Sequence, residues 1–241
     1  MNPQHPWAAG PGEILRHGLS LLKNDSDVNR RLAMILIDNS VELMIKTYLG
    51  LPKRISGLMI SRRDYQEISE SFPRMLDALE THGSDKLDGI DLGTIEWYHR
   101  LRNELYHQGN GLTVERDKVE VYAELANLLF KNLFGIELVD HVTPAADILG
   151  EFIEAWSQLE SGLSNSASMH TTVGTGPRTV LDASRFLQGA GVLSTEQVVE
   201  IDSLRRTRNE VVHGTTDYKL VLTPAIVSRV RELAKTLDRK T

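Results

Sequence analysis

The longest apolar run in the chain, LAMILIDNSVELMIKTYL over residues 32–49, is broken by Asp38, Asn39, Glu42 and Lys46. A bilayer-spanning helix needs about 20 consecutive, mostly apolar residues. Four polar groups inside this run exclude that use, and no membrane partner is expected. The run predicts instead a buried helix with apolar positions at Leu32, Ile35, Leu36, Leu43 and Ile45. Asp25, Ser26 or Asp27 can cap its start. Glu42 and Lys46 stand four apart, the spacing of an ordinary helix ion pair.

The same periodicity extends along the chain. It predicts a first helix over 13–23 and one from Ser61 to about Thr81, opened by a Ser61–Asp64 capping box. Further helices are expected over 92–107 and 115–134, the second closed by Gly135. Thr143-Pro144 pairs a cap with proline at the first helical position and starts a helix over 144–162. A loop NSASMHTTVGTGP and a helix over 177–188 follow. Ser194 and Gln197 form another capping box, and Thr223-Pro224 opens a last helix to about Leu237. The expected class is all-α: two helical bundles in tandem, 1–140 and 141–241, with a boundary near 138–143.

Composition narrows the function classes. Hydrophobic residues make up 41% and charged residues 25%, enough for a packed core. Cysteine is absent, which removes disulfides, thiolate nucleophiles and cysteine-bound metals and fits a reducing compartment. The opening MNPQHPWAAGPG lacks the basic patch and apolar run of a signal peptide, so a cytoplasmic protein is expected. A net charge of −6 argues against a broad nucleic-acid-coating surface but permits a small basic cleft. His5, His17, His82, His99, His141 and His170 show no metal-ligand spacing. VGTGP at 173–177 lacks the Lys-Ser/Thr pair of a phosphate loop and reads as a loop only. No metal and no cofactor is expected.

RNELYH at 102–107 and RNEVVH at 208–213 repeat Arg-Asn-Glu-x-x-His, each just ahead of glycine. Asn103 and His107 share a helical face, as do Asn209 and His213. Arg102 and Arg208 lie about 140° round from their histidines at 3.6 residues per turn, so each pair needs a broad cleft or a curled arginine side chain. The following glycines place each histidine in a last helical turn. Unperturbed imidazole titrates at about 6.5, the range for acid or base work at neutral pH. Arginine is a permanent, forked cation suited to a phosphodiester. Asparagine can orient the imidazole or donate to phosphate. Glu104 and Glu210 either position the arginine or are solvated. Arg100, Arg205 and Arg206 are either a basic rim or ordinary helix charges. Trp97 and Tyr98 can stack a base but more simply pack in the core, like Tyr106, Val211 and Val212. The bland reading of either motif is a helix end tidied by polar side chains; duplication favours the functional one.

Both motifs resemble the hallmark of the higher-eukaryote-and-prokaryote nucleotide-binding (HEPN) superfamily: Arg, a polar residue, a short spacer and His. NSVELMIKTYL at 39–49 is similar to the Glu-x-x-x-Lys early helix of many members. The resemblance covers both halves, about 13–135 and 144–238. It implies small helical bundles and a metal-independent endoribonuclease of single-stranded RNA, in which the ribose 2′-hydroxyl attacks the neighbouring phosphate. Arg102, Asn103, His107, Arg208, Asn209 and His213 would be catalytic. A homo-oligomer, a toxin or phage-defence setting and a partner such as an antitoxin or defence protein are implied with it. The two motifs could pair within one chain or between chains. The alternative is a catalytically inactive HEPN-like module that binds a protein or nucleotide.

Overall fold

Ser26 Oγ accepts the Asn29 N–H at 3.1 Å and starts the longest helix of the N-terminal half. The computed structural model describes residues 6–24, 26–107, 113–138, 144–170, 177 and 179–238. The side chains of residues 106, 107, 144–147 and 238 lie outside that description. Every regular element among the described residues is helical: α1 (Ala9–Leu22), α2 (Asp27–Gly50), α3 (Lys53–Ser56), α4 (Arg62–Ile68), α5 (Phe72–His82), α6 (Leu92–His107), α7 (Arg116–Phe134), α8 (Pro144–His170), α9 (Val180–Gly189), α10 (Thr195–Val212), α11 (Tyr218–Val221) and α12 (Pro224–Asp238). The all-α class is therefore observed. None of these helices is long and apolar enough to cross a membrane.

The chain divides into two compact units, Met1–Ala146 and Asp147–Thr241. In the first, α2 is the axis and packs against α1, α5, α6 and α7. Its buried face is Met34, Ile37, Asp38, Val41, Ile45 and Tyr48, widened by Ala33, Ser40, Met44 and Leu49. The sequence pattern misplaces this face in part. Leu32 is 45% exposed, and Ile35, Leu36 and Leu43 sit at its margins. With apolar residues on nearly every side of α2, periodicity alone could not choose between overlapping stripes. Tertiary packing selects the stripe with Asp38 at its middle.

Two polar ties fix α1. Ser40 Oγ donates to the Pro11 carbonyl at 2.8 Å in the buried α1–α2 seam. Arg116, at the start of α7, donates to the Leu22 carbonyl at 3.0 Å, satisfying an acceptor at the α1 C-terminus. The same guanidinium pairs with the buried Glu120 carboxylate at 2.7 Å.

The helix expected over 61–81 is two helices. Ser61 caps α4, accepting the Asp64 N–H at 3.1 Å, but Pro73 lacks an N–H and crowds the preceding turn. Ser71 is extended and α5 begins again at Phe72. The expected loop at 165–177 is helical through His170, beyond the expected end of α8 at 162. Its serine-rich end has low intrinsic helix preference, but Ser166 and Ala167 are each 1% exposed, so burial overrides propensity. Residues 171–176, with most of VGTGP, lie outside the described residues.

In the second unit, Phe152, Trp156, Leu159 and Leu163 of α8 are buried, as are Ile201, Leu204, Val211 and Val212 of α10. Ser194 and Gln197 form the expected reciprocal capping box. Arg229 of α12 pairs with Glu200 of α10 at 2.5 Å, and Arg231 with Glu151 of α8 at 3.0 Å.

A Cβ added at Gly18 would lie 3.1 Å from Ile37 Cγ1 and 3.3 Å from Leu36 Cβ. Gly18→Val should therefore overpack the α1–α2 seam and lower stability by about 1–3 kcal/mol in urea unfolding. Gly189, where an added Cβ would point into open space, should accept alanine without loss in the same measurement.

Candidate functional site

Asp38 interrupts the apolar run in sequence, and in the fold its carboxylate is fully buried. An isolated charge there would be prohibitive, so the surrounding helices supply donors. Arg102 of α6 approaches Asp38 Oδ2 with Nε at 2.6 Å and Nη2 at 2.5 Å. His99, one turn earlier on α6, places Nδ1 3.0 Å from Oδ2 and 3.2 Å from Oδ1. Tyr122 of α7 donates its hydroxyl to Oδ1 at 2.8 Å. One carboxylate thus joins α2, α6 and α7.

Aromatic packing seals the network. Phe72 of α5 stacks on the His99 ring with centroids 4.0 Å apart and planes 16° apart. Tyr98 stacks on Tyr122 at 4.5 Å. Tyr98 is fully buried, so it is a core residue, and Trp97 meets it edge-on. Burial, followed by the negative charge of Asp38, holds the Tyr122 hydroxyl well above the ordinary tyrosine value of 10.0.

The remaining Arg102 donors face its own motif and α2. Nη1 donates to Asn103 Oδ1 at 2.8 Å, and Nη2 lies 3.4 Å from Asn39 Oδ1 and 3.5 Å from Glu42. Glu42 therefore sits beside Arg102 at the edge of the network. Asn103 acts as an acceptor that orients the guanidinium. His107 is the last residue of α6, as its following glycines imply, and its side chain lies outside the described residues.

The second motif repeats the local pattern with different burial. Arg208 is 6% exposed, and its Nη1 lies 3.4 Å from Asn209 Oδ1. His213 caps α10, its N–H donating to the Asn209 carbonyl at 2.9 Å, and its side chain is exposed. Gly214 turns the chain with φ of 61°, a left-handed conformation that favours glycine. Arg100 pairs with Glu96 at 2.5 Å, while Arg205 and Arg206 pair with Asp202 at 2.8 and 2.7 Å. Those three arginines take part in intrahelical ion pairs of the ordinary kind.

Asp38, Glu42 and His99 each offer a ligand atom within 4.8 Å of the others. Linear spacing could not reveal this trio because it joins α2 to α6. Its chemistry suits arginine better than a metal ion: Asp38 Oδ2 already faces the Arg102 guanidinium, and Oδ1 accepts from Tyr122. A cation entering there would meet a fixed positive charge.

Asp38, His99 and Tyr122 belong to no motif that marks them as site residues in the sequence. The available signals were a charged residue inside an apolar run and a histidine one turn before Arg102. Comparison with known protein families, curated proteins and solved structures finds no match.

Asp38→Asn removes the charge but keeps the side-chain shape. It should destabilise the first unit by about 3 kcal/mol in denaturant unfolding, the lower end of the range for breaking a buried pair, because Arg102 can reach water. Tyr122 adds a pH dependence. Its raised folded pKa means that its contribution is full below the unfolded value near 10 and falls as pH rises toward the folded value. Tyr122→Phe should flatten the loss of thermal stability above about pH 10, read by circular dichroism.

Proposed function

We propose that the chain is a HEPN-like, metal-independent endoribonuclease of single-stranded RNA, built on its two Arg-Asn-Glu-x-x-His motifs. The observation that carries this reading is the shared local arrangement of the copies. In each, the arginine's Nη1 faces the next residue's Asn Oδ1, and the histidine stands at a helix C-terminal end. Such an arrangement suits a clamp on a phosphodiester beside an acid/base group. Arg102 and Arg208 would hold the phosphate, His107 and His213 would move protons, and Asn103 and Asn209 would orient the arginines. The exposed His213 side chain is compatible with substrate access. A cytoplasmic toxin or defence role, a homo-oligomer and a protein partner belong to the same proposal.

A second reading rests on the inward orientation of the arginines. Arg102 is committed to Asp38 and Arg208 is 6% exposed. That favours motifs retained for structure in a binding module for protein or nucleotide.

Purified protein incubated with single-stranded RNA in a chelator separates the two. On the nuclease reading, RNA is cut to cyclic-phosphate and 5′-hydroxyl ends, and His107→Ala/His213→Ala lowers the rate by about a hundredfold or more. Undiminished cleavage by that double variant would remove these histidines from the chemistry. Absence of cleavage by the unaltered protein would favour the binding module.

A further inference from the structure

Helix geometry sets a difficulty for Arg102 and His107. They lie about 140° apart around α6, whereas His99 and Arg102 lie about 60° apart. The fold brings His99 and Arg102 onto one carboxylate, with His99 Nδ1 at 3.0 Å and Arg102 Nε at 2.6 Å from Asp38 Oδ2. The histidine that stands with this arginine is therefore His99, outside the repeated motif. It has no counterpart in the second copy: the residue three before Arg208 is Arg205, which pairs with Asp202.

Resting on the ribonuclease reading, we infer that His99 is the general base of the N-terminal motif and that Asp38 is its positioning residue. Asp38 accepts hydrogen bonds, so the Nδ1 facing it carries the hydrogen and the lone pair falls on Nε2. Among the described residues Nε2 has no hydrogen-bond partner. Both side chains keep some solvent exposure, His99 at 14% and Arg102 at 16%, which is the access an RNA phosphodiester would need. Phe72 stacks on one ring face and limits rotation. The charged and titratable groups facing the ring are Asp38 and Glu42 from α2, Arg102 on α6 and Tyr122 across the carboxylate from α7. A buried carboxylate on one imidazole nitrogen and an unpartnered nitrogen opposite is the arrangement of an oriented base.

The step balances within the RNA. His99 Nε2 takes the 2′-hydroxyl proton as that oxygen bonds to phosphorus. The bond from phosphorus to the 5′-oxygen breaks, and a motif histidine returns a proton to the departing oxygen. Cyclic phosphate and 5′-hydroxyl ends result, with no water or metal consumed.

The test takes the full-length chain with the C-terminal motif disabled by His213→Ala as parent and adds His99→Gln or His99→Ala, on single-stranded RNA in a chelator, with and without added imidazole. Glutamine retains an N–H for Asp38 and guards against a folding failure in the alanine variant, and circular dichroism checks both. The inference expects cleavage to fall by about a hundredfold or more in each, with unchanged helicity. It also expects added imidazole to restore part of the rate in His99→Ala. Cleavage by His99→Gln within threefold of the His213→Ala parent overturns the inference, as does a folded His99→Ala that imidazole does not rescue. If His107→Ala/His213→Ala is inactive while His99→Gln is active, only the His99 assignment fails. If wild type cleaves and the His213→Ala parent does not, the His99 assignment fails alone; if wild type does not cleave, both fail together.

Discussion

The N-terminal unit is organised around a buried negative charge. Asp38 lies on the central helix α2, where desolvation would otherwise disfavour any carboxylate. Its cost is offset by one guanidinium and two further polar partners from α6 and α7. Those partners are not interchangeable. Arg102 supplies charge, His99 supplies an imidazole held at one nitrogen, and Tyr122 supplies a neutral hydroxyl that burial keeps protonated. Meeting the electrostatic need of Asp38 therefore fixes the rotation of α6 and places the side chains on which a reaction would depend.

This constraint also explains why the two motif copies differ despite their sequence likeness. Arg102 is exposed enough to meet solvent while paired to Asp38, whereas Arg208 is 6% exposed within its own unit. One residue three positions earlier changes the chemistry further, His99 in the first copy and Arg205 in the second. The repeat thus preserves a local hydrogen bond from arginine to asparagine while the surroundings diverge. Equal spelling does not give the two copies equal surroundings.

Much of the local structure was legible because it depends on short-range chemistry. Ser26, Ser61 and Ser194 cap helices by accepting N–H groups three residues on, and Gly135 closes α7 with φ of 68°. These signals involve neighbours in the chain and survive without knowledge of the fold. The misses involved competition. Pro73 overruled a continuous apolar pattern, and buried Ser166 and Ala167 carried α8 through a serine-rich segment. The stripe that α2 buries was ambiguous because several apolar stripes overlap on it.

The sequence by itself determined an all-helical chain, most helix ends and two spaced Arg-Asn-Glu-x-x-His motifs, because caps, prolines and the 3.6-residue period act locally. Only the tertiary structure decided that Asp38, 61 positions from His99, would become the shared acceptor for His99, Arg102 and Tyr122. No spacing rule encodes that meeting. It follows from burying one face of α2, which takes the carboxylate out of water and makes paired donors from α6 and α7 a condition of the fold.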